Sequence, residues 1–549
     1  MRVRAALLFT FLFVAVFISR SSVAQENHQH TLTEEEVGSV KFSTSCSRAV
    51  ENNFNRAVAL LHSFQYEQVQ HAFEDIAKQD PTCAMAQWGI AMSRFHSLWN
   101  NGDLIAGRAA LQKAQELAQT NKSTTPREHG YIAALAEIYR EDGKSQFAHD
   151  QAFEQKMGAL QAAYPSDDEA AVFHALALDI SAAPDDKTFA NQRKCGEILE
   201  PIFARLPNHP GAAHYLIHCY DNPLLAEKGL NAARVYAKIA PASPHANHMP
   251  SHIFTRLGLW DESIASNLRS KELATEAERT ATTGEARDQR LHAMDYLEYA
   301  YLQSGRVTQA RAVLDELEAL KRVDGVTVTS GYAAAAIPAR FAMELGDWKS
   351  ASELKVGGGT PYTQALTWAA IGLGSARSGN LERAAAAEKT LASLTDAASK
   401  LNNDYWAKQI EVQHREVAAW IFEKQSRYTE AFAAMRSAAV LEDSVEKDAV
   451  SPGPLTPARE MLAEMLALQN RPAESLREYQ AVLRIAPERF NAVYGAGCAA
   501  ESAGNREAAR IYFRKLTEFA VGDERPELAA ARKKIGGQAA SRKEPGAVN

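Results

Sequence analysis

Apolar residues recur at intervals of three and four along almost the whole chain after residue 50. This spacing lines one side of an α-helix with apolar side chains, so it predicts a long succession of amphipathic helices. Alanine, leucine, glutamate, arginine and glutamine, which favour helices, are abundant. No convincing stretch alternates apolar and polar residues as a half-buried strand does. The pattern predicts an all-α protein.

A second regularity lies on top of the helical one, because a turn-forming residue is repeatedly followed five positions later by a small residue. The first suits the point where a helix reverses, and the second suits two helices that pack closely. The pairs are Phe64 with Val69, Gly102 with Gly107, Gly143 with Ala148, Asp221 with Ala226, Gly258 with Ser263, Gly305 with Ala310, Gly346 with Ala351, Gly379 with Ala384, Ser426 with Ala431, Asn470 with Ser475 and Gly504 with Ala509.

Proline closes several of these units, at Pro81, Pro207, Pro241 and Pro487. With the paired positions, this resembles the tetratricopeptide repeat (TPR), a helix-turn-helix unit of about 34 residues that ends in proline. The resemblance covers roughly residues 50–520, with irregular spacing, so it indicates divergent repeats of an exported, bacterial-type TPR protein. It implies a right-handed superhelical solenoid with a concave inner surface.

Two segments depart from the repeat pattern and could divide it into two arrays. They are the Val/Thr-rich stretch Val323–Ser330 and the glycine-rich stretch Val356–Pro361. We predict a signal peptide at 1–24, an N-terminal extension at 25–49, TPR-like arrays at 50–320 and 331–520, and a short helix with a disordered tail at 521–549.

The first residues read as a targeting segment. Arg2 and Arg4 precede an apolar run that is too short to cross a bilayer comfortably, and Ser22-Val23-Ala24 fits a cleavage site. No cysteine follows closely, which disfavours a lipid anchor. We expect cleavage after Ala24 and a periplasmic or secreted protein without a stable membrane anchor.

Five cysteines remain in the mature chain, and an oxidising compartment permits disulfides. Sequence proximity favours Cys46 with Cys83 and Cys195 with Cys219, which leaves Cys498 unpaired. The alternative is that all five are small buried thiols.

The formal net charge of -7, without a basic stripe, argues against a nucleic-acid partner. The chain also lacks the His-Glu-x-x-His, Gly-x-Ser-x-Gly and Walker-type signatures.

Histidine is unevenly distributed, since six of the 16 histidines lie between His209 and His252. Two pairs are spaced by four residues, which places each pair on one helix face. Neutral imidazole is a common ligand of Zn, Cu, Ni and Fe. The candidate metal ligands are His214, His218, His245, His248, His252, His292 and Asp295.

The repeat register sharpens this prediction. In the TPR family, four positions of each first helix line the concave groove, and counting back from each turn places candidate ligands from three adjacent repeats there. Further groove residues by the same count are His96, Tyr215 and Tyr299. Pro250 could shift the count or disrupt its helix.

Two functions are consistent with these features. The first is an exported TPR scaffold that binds a peptide, a protein partner or a small polar ligand in its groove, with a transition-metal centre (Zn, Cu or Fe) at the histidines. The second is a metal-dependent hydrolase or oxidoreductase that uses the same histidines, although no glutamate stands near them as an evident general base. The histidines could instead only hydrogen-bond between helices. No catalytic residue is identified.

Overall fold

The computed structural model describes residues 32–98, 102–281, 284–320, 328–401 and 403–536. These residues form α-helices joined by turns, and no β-strand occurs among them. The predicted all-α class is confirmed. The signal peptide with its cleavage site at Ala24, most of the Val323–Ser330 connector, and the tail after residue 536 lie outside the described residues.

The helices follow one another with short connections. The first half contains α1 (Glu34–Val37), a 3-10 turn (Arg48–Val50), α2 (Glu51–His62), α3 (Tyr66–Gln79), α4 (Ala84–Phe95), α5 (Leu104–Thr120), α6 (Pro126–Ile138), α7 (Gln146–Ala163), α8 (Asp168–Ile180), α9 (Ala190–Arg205), α10 (Pro210–Tyr220), α11 (Ala226–Ile239), α12 (Pro244–His248), α13 (Pro250–Leu257), α14 (Trp260–Ala277), α15 (Glu285–Gln303) and α16 (Val307–Ala319). The second half contains α17 (Val328–Glu344), α18 (Trp348–Ser352), α19 (Pro361–Arg377), α20 (Leu381–Lys400), α21 (Asp404–Lys424), α22 (Tyr428–Asp443), α23 (Ala458–Leu468), α24 (Pro472–Ile485), α25 (Phe490–Ser502), α26 (Arg506–Phe519) and α27 (Pro526–Lys534).

Consecutive helices pack against each other, and the first helices of neighbouring hairpins also touch. Such contacts join α2 with α4, α8 with α10, α15 with α17, α19 with α21 and α23 with α25. Each hairpin therefore buries its apolar face against the next one, which is the packing of a TPR-like stack.

The predicted turn positions explain how these hairpins reverse. Most of them adopt the left-handed conformation, including the non-glycine residues Phe64, Ser426 and Asn470 with φ of 52°, 61° and 55°. The small residues five positions later are buried, except Ala148, which is half-buried. At Gly107 the reason is direct, because a Cβ atom there would collide with the ring of Tyr139.

The helix that carries the densest histidine stretch is broken, as the position of Pro250 suggested. α12 ends at His248, and α13 starts at Pro250, which occupies the first helical turn where a missing N–H is tolerated. The break leaves both short helices in the stack, with all of their histidines buried.

Two disulfides join Cys46 to Cys83 and Cys195 to Cys219, and Cys498 is a free thiol. Among the described helices, none combines the length and apolar character needed to span a bilayer.

The two halves of the chain contact each other. The backbone N–H of Phe490 donates to Gln303 Oε1 at 2.9 Å, and Lys447 of the second half reaches Asp221 of the first. The division into arrays at 50–320 and 331–520 stays a prediction.

Candidate metal centre

Six histidines from three successive hairpins converge inside the first half of the stack. They form two groups of three, in each of which the candidate ligand atoms lie within 4.8 Å of one another. The first triad is His214 and His218 from α10 with His245 from α12, and the second triad is His248 from α12, His252 from α13 and His292 from α15. We call all six the histidine cluster.

The first triad is centred on His214. Its Nε2 atom lies 3.0 Å from Nε2 of His245 and 3.0 Å from Nε2 of His218. The Nδ1 atom of His214 lies 2.6 Å from the backbone carbonyl oxygen of His62. A carbonyl oxygen only accepts, so Nδ1 carries the proton and the Nε2 atom of neutral His214 presents a lone pair to the other two rings.

The second triad repeats this arrangement. Nδ1 of His248 lies 2.7 Å from Oδ1 of Asn267, and the amide of Asn267 is oriented because its Nδ2 donates to the carbonyl oxygen of Ser263 at 2.8 Å. Nδ1 of His252 lies 2.8 Å from the carboxylate of Asp221. Both Nδ1 atoms are therefore donors, so both neutral rings have bare Nε2 atoms.

These two bare atoms face each other, since Nε2 of His248 lies 3.0 Å from Nε2 of His252. Two lone pairs at this distance repel unless a proton or a metal ion lies between them. Burial disfavours the proton, because it lowers the pKa of both rings. A bound cation satisfies both nitrogens at once.

The cluster also has the protonation state that metal binding requires. Burial lowers the pKa of His214 to about 3 and lowers those of His218, His245 and His292 well below the ordinary value. Neutral imidazole is the form that coordinates metal. Imidazole nitrogens bind Zn²⁺ at about 2.0–2.1 Å, which separates ligand atoms of a tetrahedral ion by about 3.3 Å. The observed 3.0 Å contacts are close to that spacing.

A charged network borders the second triad. Asp221 accepts from His252, from Nε of Arg256 at 2.8 Å and from Nζ of Lys447 at 2.9 Å. Arg256 also contacts Glu446 at 2.7 Å. Burial alone would raise the pKa of Asp221, but the two cations outweigh it and hold the pKa well below its ordinary value. Two carboxylates and two cations balance here.

The segment between α22 and α23, residues 444–457, lies over the cluster, and we call it the covering segment. Tyr296, stacked on His252 with ring centroids 4.7 Å apart, donates to the backbone of Ala449 and Ser451. Lys447 belongs to the same segment. The cluster is consequently buried, and the open groove expected at these histidines is closed by the second half of the chain.

A third group of metal-ligand type lies beside the first triad. Glu169 accepts from Nε2 of His62 and Nε2 of His209, each at 2.9 Å. The remaining ring nitrogens accept from the Tyr215 hydroxyl at 3.0 Å and the Ala212 backbone N–H at 3.1 Å. Every ring nitrogen of this Glu169 group has a complementary partner within the protein.

The predicted carboxylate ligand Asp295 is not brought to the histidines. Its Oδ1 lies 2.5 Å from Nη1 of Arg340, which also contacts Glu298 at 3.0 Å. Asp295 therefore belongs to a separate buried ion cluster. Burial raises the pKa of Glu298 to about 8 despite Arg340.

The three predicted groove residues lie in different surroundings. His96 stacks on Tyr66 with ring centroids 4.1 Å apart. Tyr215 is buried against His62 in the Glu169 group. Tyr299 is buried beside Trp260, with ring centroids 5.8 Å apart. They do not extend the histidine cluster into a continuous wall.

Sequence reasoning missed Asn267, Tyr296 and Lys447. Asn267 had a usable signal, because it lies on the helix that pairs with α13 in the same hairpin and faces His248. Lys447 had none, because it stands 226 residues from its partner Asp221.

Comparison with protein-family models and with curated protein sequences finds no match. Among solved structures, the chain is similar to a human IFIT1 dimer with m7Gppp-AAAA, at 12% identity and a TM-score of 0.32, covering 80% of this chain and 90% of that one. It is also similar to yeast Tom70, at 10% identity and a TM-score of 0.31, covering 82% and 95%. At these values the likeness carries no argument about function.

Proposed function

We propose that this chain is an exported TPR-like scaffold that binds transition-metal ions in its histidine cluster. The observation that carries the proposal is the contact between His248 and His252, whose Nε2 atoms face each other while both Nδ1 atoms donate to other groups. Three protein ligands per ion leave a coordination position for a small ligand, as in catalytic zinc sites. Metal-dependent catalysis is therefore the second candidate, and this open position is what favours it.

Export is supported by the two disulfides, because such bonds persist mainly in oxidising compartments. N-terminal sequencing of the protein recovered from its native host tests this part. We expect Gln25 as the first residue, and an intact Met1 would contradict export by cleavage. Binding of a peptide or protein partner stays a prediction from the sequence.

Metal analysis of the purified mature protein tests the metal centre. We expect at least about one equivalent of Zn, Cu, Fe or Ni after dialysis, and a lower melting temperature after chelation, because bound metal stabilises the folded state. His248→Ala and His252→Ala should each lose metal. His174→Ala is the matched control, since His174 is also buried but hydrogen-bonds Gln161 and Glu154. Absence of all four metals, with no thermal shift on adding any of them, would remove the proposal.

A further inference from the structure

The two triads are contiguous, and this is the starting point for a more specific inference that rests on the proposed function. The ring centroids of His218 and His252 lie 6.3 Å apart, and those of His245 and His248 also lie 6.3 Å apart. The widest separation within the first triad is the same 6.3 Å. Ions held by the two triads would therefore be immediate neighbours, as in two-metal sites with about 3.5–4 Å between ions.

The repeat architecture explains why there are two similar triads. His214 and His218 recur as His248 and His252 after one repeat length of about 34 residues. Each pair spans one helical turn, and each triad is completed by a single histidine from the following first helix. His245 completes the first triad and His292 the second.

We propose that the histidine cluster holds a dinuclear copper centre that binds dioxygen between its two ions. All six ligands are neutral imidazoles, a set that suits Zn, Cu, Fe or Ni and disfavours Mg, Ca and Mn. The choice among the first four follows from charge.

A pair of divalent ions would place about four positive charges in the interior without an anionic ligand, and burying uncompensated charge is strongly unfavourable. The bordering network offers no surplus anion, since Asp221 and Glu446 are matched by Arg256 and Lys447. Monovalent ions halve the buried charge, and among these metals copper has the readily accessible monovalent state.

Dioxygen fits this centre in size and in charge. His218 is 8% exposed and the other five rings are at most 4% exposed, so only a ligand of a few atoms can reach the ions. Each Cu(I) gives one electron, and O₂ takes both to become peroxide, with no proton transferred. Two Cu(II) ions and one peroxide dianion carry the same total charge as two Cu(I) ions, so the buried site takes up the ligand without a change in net charge.

Anaerobic titration of the metal-free mature protein with Cu(I) tests the number of ions. We expect two equivalents for the wild type and for His174→Ala, and about one for His214→Ala and for His292→Ala, each of which removes one triad. A single equivalent in the wild type would overturn the dinuclear centre while leaving the metal-binding function intact. Zero equivalents of copper and of every other metal tried would overturn both.

Admission of O₂ to the protein loaded with Cu(I) tests the pairing. We expect oxidation with little electron paramagnetic resonance signal, because adjacent bridged Cu(II) ions couple magnetically, and return of O₂ or peroxide on acid release. Two Cu(II) ions with full signal intensity would overturn the bridged arrangement, and a protein that retains two Zn²⁺ and refuses copper would overturn the identity of the metal. These wild-type measurements decide the matter even if the histidine variants do not fold.

Discussion

The Glu169 group and the histidine cluster are neighbours built from similar residues, yet their hydrogen bonding differs. In the Glu169 group, one carboxylate accepts from His62 and His209, and the other ring nitrogens accept from the protein. In the histidine cluster, imidazole lone pairs face other imidazoles at 3.0 Å. A set of buried histidines is therefore informative only when each ring nitrogen has been assigned a partner.

The first prediction, with the largest expected effect, breaks the self-complete member of this comparison. Glu169→Leu leaves the N–H groups of His62 and His209 buried without an acceptor, so the free energy of unfolding should fall by about 3–5 kcal/mol. Metal content should stay unchanged. Asp168→Leu is the control, because Asp168 forms an exposed ion pair with Arg205 whose loss should have an effect below about 1 kcal/mol. Denaturant titration with metal analysis decides, and loss of metal from Glu169→Leu would merge the two groups.

The same carboxylate predicts an acid-sensitive contribution to stability. Burial raises the pKa of Glu169, but His209 and His62 outweigh it and lower the pKa from 4.5 to about 2. A lowered folded-state pKa stabilises the protein above pH 4.5, and that stabilisation of about 3 kcal/mol is lost as the pH falls from 4.5 towards 2. The difference in unfolding free energy between the metal-free wild type and Glu169→Gln should shrink over this range. A difference that is independent of pH would contradict the assignment.

A smaller effect is expected from the residue that orients His248. Asn267→Leu removes the acceptor for Nδ1, so the ring loses both its orientation and its fixed tautomer, and metal affinity should fall by about 10–100-fold. Ser270→Ala, on the same buried face of α14, should bind metal like the wild type. Competition against a chelator of known affinity measures both. Equal affinity for Asn267→Leu and the wild type would show that the amide does not orient a ligand.

The smallest predicted effect concerns charge rather than ligation. Lys447→Met removes a buried cation from the border of the second triad and leaves Asp221 with less compensation. A bound cation is then repelled less, so metal affinity should rise by up to about tenfold. Lys187→Met is the control, since Lys187 contacts Glu446 at a more exposed position. Weaker binding by Lys447→Met would mean that this lysine holds the covering segment in place.

Much of the fold was predictable because it depends on local signals. Glycine and other turn residues mark hairpins such as those at Gly258 and Gly305, where φ is 72° and 78°. The spacing of the apolar residues predicted the helices between such turns. The break at Pro250 was also foreseeable, because proline removes a helical hydrogen bond. Burial of the cluster was not, because the covering segment comes from residues far along the chain.

The site could be predicted in part for the same reason. The clustering and spacing of the six histidines pointed to one location, and the structure brings all six together. Asp295 was included because it follows His292 by three residues, but its partner Arg340 lies 45 residues further on. Long-range partners of this kind decide whether a buried carboxylate binds a guanidinium or a metal, and spacing within one helix does not reveal them.

The bond between Cys195 and Cys219 has a consequence for how the protein matures. Cys219 follows His218 directly, and the bond joins α10 to α9. The helix that supplies two ligands of the first triad is thus locked in register by an oxidation step. Thiol oxidation would come first in maturation and acquisition of the ion later, so the metal supply that matters is that of the compartment in which the disulfide forms.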